Sequence, residues 1–69
     1  MLMRIKELRE AAGLTQQELA NEMGMVQTAI SAWETEATIP RTRQLPVLAR
    51  LLGCSIDDLF YPDNTTEEA

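Results

Sequence analysis

The 69-residue sequence has no histidine and one cysteine, Cys54. The side chain most often used as general base or metal ligand is therefore missing. One cysteine cannot close an internal disulfide. There is no glycine-rich phosphate loop and no spaced set of metal ligands, so no catalytic constellation presents itself. Asp57 and Asp58 are adjacent, and neighbouring side chains on a helix diverge, so they do not form a catalytic pair. Aromatic residues are limited to Trp33, Phe60 and Tyr61. No apolar run approaches the length of a membrane span. The opening MLMRIKELREAAG is amphipathic, without the continuous apolar stretch of a signal peptide. These absences predict a protein with no cofactor, no metal, no membrane contact and no enzymatic activity. A lone cysteine fits a reducing, cytoplasmic setting.

What is present is ordinary for one small globular domain: 45% hydrophobic and 25% charged residues, with 3 Gly and 3 Pro as punctuation. The net charge of −5 argues at face value against nucleic acid. Its distribution matters more. Residues 1–13 carry +1, residues 14–40 carry −4, residues 41–53 carry +3 and residues 54–69 carry −5. The last sixteen residues alone hold the whole excess, so the body of the domain is near neutral. Its positive charge sits near the start and just after Pro40.

Apolar residues recur at three and four, the helical period. A first helix is predicted over about 2–12, with Ile5, Leu8 and Ala12 on one face and Gly13 as its stop. A second follows from Thr15, whose hydroxyl and Glu18 form a capping box. Leu19, Ala20 and Met23 make its apolar stripe, and Gly24 ends it where the turn calls for positive φ. A third runs over about 26–35. Val26, Ala29, Ile30 and Trp33 fall within about 100° of arc as the inward stripe. Thr28, Ser31 and Thr35 point the other way, flanked by Gln27 and Ala32, with Glu34 beside Gln27. A fourth spans about 43–52, burying Leu45, Leu48, Ala49 and Leu52, with Pro46 tolerated in its first turn. A fifth is capped by Ser55 with Asp58 and stopped by Pro62. The domain is placed at 1–61, and residues 62–69 read as a frayed acidic tail. The expected fold is all-α: a compact five-helix domain with a helix-turn-helix.

The stretch LTQQELANEMG…QTAISAWE…P, followed by LPVLARLLGCSIDDLF, resembles the Cro and phage-repressor type, or XRE-like, helix-turn-helix family of lambda-repressor-like DNA-binding domains. The resemblance covers about residues 4–60. It is carried by Thr15-Gln16-x-Glu18-Leu19-Ala20, Ile30-Ser31-x-Trp33-Glu34, Pro40, and Leu48-Ala49-x-x-Leu52-Gly53-x-Ser55. It implies that Gln16 grips a DNA phosphate and that the third helix lies in the major groove. Gln27, Thr28, Ser31 and Ala32 match positions facing base edges. Arg41 and Arg43 fall in or beside a loop that often touches the backbone. The third helix has no Lys or Arg on its outward face. Even so, amides, hydroxyls and methyls can read bases, while phosphate affinity can come from elsewhere.

The family often pairs an arginine of the first helix with the glutamate after the aromatic position, here Arg9 with Glu34. If they pair, Glu34 is neutralised; if they do not, a carboxylate lies near the groove. The sequence also departs from the family. Val26 stands where a capping Ser or Thr is usual, and Glu36 where Gly is common. Ala32, Thr35, Ala37 and Thr38 replace common basic residues. The reading is a sequence-specific regulator of transcription, a repressor of bacterial or phage type, with a double-stranded DNA operator as partner. A homodimer contact is expected at Ile56, Leu59, Phe60 and Tyr61, which are more apolar than the end of a monomer requires. The acidic balance motivates an alternative: an antitoxin-like module of the same fold that binds a regulatory protein partner.

Overall fold

A computed structural model describes residues 2–61 of the chain. It contains four α-helices: α1 (Ile5–Ala11), α2 (Gln16–Met23), α3 (Gln27–Thr35) and α4 (Leu45–Leu52). Single 3₁₀ turns occupy Thr42–Gln44 and Asp57–Leu59. The proposed acidic tail, residues 62–69, lies outside the described residues.

Helices of seven to nine residues cannot hold themselves together in water. Their stability comes from a shared core. Ile5, Leu19, Ile30, Leu48 and Leu59 are the largest fully buried side chains, one from α1, α2, α3, α4 and the last turn. Trp33 is buried with them, on the inward side of α3. Ala20 is fully buried where α2 meets α3, so a small side chain lets the two helices approach. The capping box at the start of α2 is present in both directions: Glu18 N–H donates to Thr15 Oγ1 at 3.0 Å, and Thr15 N–H donates to Glu18 Oε1 at 2.8 Å. Gly24 then turns the chain with φ 68°.

Four expectations need correction. α1 starts at Ile5 because residues 2–4 lie outside the helix and pair with the end of the domain. Arg4 N–H donates to Leu59 O at 2.7 Å, Tyr61 N–H donates to Leu2 O at 3.1 Å, and Met3 lies opposite Phe60 in an antiparallel bridge. Ala12 is accordingly an exposed C-cap. The predicted fifth helix is only a 3₁₀ turn. Ser55 and Asp58 do exchange bonds at 3.1 and 3.4 Å, but Phe60 turns extended (φ −112°, ψ 149°) to join the bridge. The residue before a proline is biased the same way, and Tyr61 precedes Pro62. Leu59, expected on a contact surface, is completely buried in the core. Val26, expected inside, is 67% exposed.

Candidate nucleic-acid interface

α2 and α3 pack as a helix pair across the Gly24 turn, and α3 presents one face to solvent. Thr28 is exposed there, while Gln27, Ser31 and Ala32 are half-buried. The face is uncharged along its length, because its one carboxylate is turned inward. Glu34 is buried, and so is Arg9 from α1. Arg9 Nε donates to Glu34 Oε2 at 2.6 Å and Nη2 donates to Oε1 at 3.3 Å. Its Nη1 donates to Leu14 O at 2.7 Å. The hydrogen bond and charge of Glu34 raise the Arg9 pKa, against the pull of burial. A two-point pair of this kind fixes orientation as well as neutralising charge.

The pair continues outward. Gln16 Nε2 donates to Glu34 Oε1 at 2.9 Å. Gln27 Nε2 in turn donates to Gln16 Oε1. Arg9, Glu34, Gln16 and Gln27 thus form one hydrogen-bonded chain from the core of the domain to the start of α3. A primary amide has two donor hydrogens and a two-lone-pair oxygen. Among the described residues, Gln16 keeps one N–H unspent, and Gln27 keeps one N–H and its whole carbonyl. No buried side-chain nitrogen or oxygen among the described residues lacks a partner.

Arg41 and Arg43 flank the start of the first 3₁₀ turn. Both are exposed, and neither has an acidic partner in salt-bridge range among the described residues. Arg41 N–H donates to Gln44 Oε1 at 2.8 Å, which pins the backbone of this loop. Of the four residues named for a dimer contact, Ile56 and Tyr61 are exposed, Phe60 is half-buried against the core and Leu59 is inaccessible.

Two arrangements were not foreseen. Glu36 ends α3 in a left-handed conformation, φ 63°, the one non-glycine residue among those described with positive φ. Its Oε2 accepts the N–H groups of Leu2 at 2.6 Å and Met3 at 2.9 Å, and these bonds lower its pKa. The strain and the two bonds together lock the N-terminal segment to the end of α3. A residue other than Gly at a position calling for positive φ was the only hint in the sequence. The second arrangement joins Tyr61 Oη, which donates to Glu7 Oε2 at 2.7 Å, to Arg4, whose Nε donates to Glu7 Oε1 at 3.1 Å.

Cys54 is half-buried and packs against the core, and burial raises its thiol pKa. No group of three or more potential metal ligands occurs among the described residues. No helix among them is long and apolar enough to cross a membrane.

The sequence pattern of the helix-turn-helix family matches residues 5–59. The chain belongs to the XRE-type helix-turn-helix family. This family is one of transcriptional regulators. An HTH-type transcriptional regulator of Archaeoglobus fulgidus is 36% identical over 64 residues, covering 93% of this chain and 91% of the relative. The HTH-type transcriptional activator BcrR of Enterococcus faecalis is 32% identical over 57 residues, and the HTH-type transcriptional regulator YobD of Bacillus subtilis is 35% identical over 54. The chain spans 28% of BcrR and 48% of YobD, so it matches only part of those proteins. A crystal structure of a Bacteroides fragilis protein assigned as DNA-binding superposes with a TM-score of 0.81 at 29% identity, covering 88% of this chain and all of that one.

Proposed function

We propose that this helix-turn-helix protein binds double-stranded DNA sequence-specifically, lays α3 in the major groove and regulates transcription as a repressor of bacterial or phage type. The observation that carries the reading is the hydrogen-bonded chain ending at Gln27. Adenine offers N7 as acceptor and N6–H as donor in the major groove. After its bond to Gln16, Gln27 retains one N–H and its carbonyl, the complement of that pair. Thr28 and Ser31 add hydroxyls, and Ala32 adds a methyl for a thymine. Gln16, Arg41 and Arg43 supply phosphate contacts: the spare amide hydrogen of Gln16 and two guanidinium groups with no acidic partner among the described residues. No metal or cofactor takes part, and no catalytic step is assigned.

One recognition helix makes too few base contacts for strong discrimination. A homodimer reading two half-sites about 34 Å apart supplies the rest. Its contact is assigned to Ile56, Phe60 and Tyr61, joined by Leu2, which is 55% exposed and bonded to Tyr61 through its carbonyl. Repression follows from occupancy of the operator, which blocks competing proteins without further chemistry. The absence of Lys and Arg from α3 favours a second reading, a regulatory protein partner in place of DNA.

Selection of random duplex DNA by the purified protein at low salt tests the proposal, with a Gln27→Ala, Thr28→Ala variant as control. An inverted repeat recovered by the wild type and lost by the variant is the expected result. No enrichment at tens of micromolar protein would overturn the DNA reading in favour of the protein partner.

A further inference from the structure

Val26 is the most exposed large apolar residue among those described, at 67%. It stands at the N-cap of α3 in an extended conformation, φ −87° and ψ 153°, and makes no side-chain cap bond. The inward place at this point of the turn belongs to Met25. Met25 packs against the core, its N–H donates to Ala20 O at 2.8 Å, and the Gln44 amide nitrogen lies 3.7 Å from its sulfur. With Met25 fixed inside, Val26 projects into solvent at the tip of α3, immediately before Gln27 and Thr28. There it serves the free domain neither as core nor as cap, and a hydroxyl would serve the helix better.

We infer that Val26 is a specificity-determining residue that reads the C5-methyl group of a pyrimidine. The inference rests on the proposed DNA reading and deepens it. A helix lying in the major groove contacts base edges with its N-terminal residues. Valine has nothing to donate or accept, and the apolar group that a base edge offers in that groove is the methyl on pyrimidine C5. Thymine carries this methyl, and 5-methylcytosine presents the same group at the same ring position. Val26 therefore adds an apolar reading beside the hydrogen-bonding one of Gln27.

The test uses the full chain and the duplex recovered by selection. Each thymine in a half-site is replaced in turn by deoxyuridine, which lacks the methyl. In a second arm each cytosine is replaced by 5-methylcytosine. Both sets are titrated with wild type and with Val26→Ala, whose folding is checked by thermal melting. The expected result is one half-site position where the C5-methyl strengthens wild-type binding about fourfold, the worth of one buried carbon group. Val26→Ala abolishes that preference and leaves every other position unchanged. A response in the first arm names thymine; a response in the second names 5-methylcytosine. Sequence-specific binding with the same methyl dependence in both proteins, or with none, overturns the role of Val26 and leaves the DNA reading standing. Failure of the wild type to prefer any duplex overturns both.

Discussion

The Gln16 amide nitrogen lies 2.9 Å from Glu34 Oε1, on the same carboxylate that Arg9 holds from the other side. A residue of α2 is thereby tied to the far end of α3. The same amide, through its oxygen, accepts a hydrogen from Gln27 at the near end. Gln16 and Gln27 should consequently act as a unit. Gln27→Ala is expected to weaken operator binding by about 1–3 kcal/mol, the worth of one bidentate base contact. Gln16→Ala should cost binding through lost phosphate contact and through loss of Gln27 positioning. The double variant should fall short of the sum of the singles, with a coupling of about 0.5–3 kcal/mol. Equilibrium titrations of the four proteins against one duplex give the cycle, and strict additivity would show that the two glutamines do not cooperate.

The Arg9–Glu34 pair is buried on both sides, so removing one partner strands a charge. Glu34→Ala should destabilise the domain by about 3–5 kcal/mol. The double replacement Arg9→Met, Glu34→Leu should cost clearly less than either loss alone, because no charge is left unpaired. Urea unfolding monitored by the fluorescence of Trp33 checks both. A loss under about 1 kcal/mol for Glu34→Ala, the range of an exposed pair, would mean that the pair is solvated.

Much of this was legible in the chain because it is local. The Thr15–Glu18 capping box, the Gly24 turn, the Leu19/Ala20 stripe and the Leu48/Ala49/Leu52 face all follow from spacing within one or two helical turns. Arg9 and Glu34 could be named as a pair only from the family resemblance. What spacing could not supply is long-range. Nothing near Glu36 announces that Leu2 and Met3 will donate to it, and the Met3–Phe60 bridge joins the two ends of the domain. That bridge pulls Phe60 out of helical geometry and draws Leu59 into the core. The inward stripe of α3 failed at its first residue because the turn preceding it places Met25 inside, and helical periodicity does not extend into a turn.

Acid and alkali should act at the junction of the chain ends. Glu36 and Glu7 have lowered pKa values, from the Met3 and Leu2 N–H groups and from Tyr61 and Arg4 respectively. A lowered folded-state value means stabilisation that is present above the unfolded-state value, about 4.3 for glutamate. It is lost as pH falls through the folded value. Tyr61 has a raised pKa because its hydroxyl donates to Glu7. Its contribution is present below the unfolded value, about 10 for tyrosine, and is lost as pH rises through the folded one. Thermal melts over pH 2–11 should show both limbs. Glu36→Gln should flatten the acid limb and Tyr61→Phe the alkaline one. Unchanged limbs would place the titrating groups elsewhere.

The start of α3 lacks a cap, and Val26 is free of core contacts. Val26→Thr supplies a hydroxyl for the unsatisfied N–H groups of the first turn. It should stabilise the domain by about 1 kcal/mol. A lower melting temperature for Val26→Thr would show that Val26 packs on the domain after all.

Dimerisation through Ile56, Tyr61 and Leu2 predicts that Ile56→Asp shifts the self-association equilibrium toward monomer without unfolding, since Ile56 is 40% exposed. Sedimentation of wild type and variant measures it. A wild type that remains monomeric at high micromolar concentration would remove this contact.

The most direct test of the central claim, that α3 reads base edges while phosphate affinity comes from elsewhere, is a salt series. A labelled duplex carrying the selected site and a shuffled duplex of equal composition are titrated at increasing salt. With Arg41 and Arg43 of two protomers on phosphates, log K should fall with log salt at a slope of about −3.6. The selected duplex should bind at least about 10³-fold more tightly than the shuffled one. Gln27→Ala should reduce that preference and leave the slope unchanged. Equal affinity for the two duplexes, or no binding to either at tens of micromolar, would contradict the account.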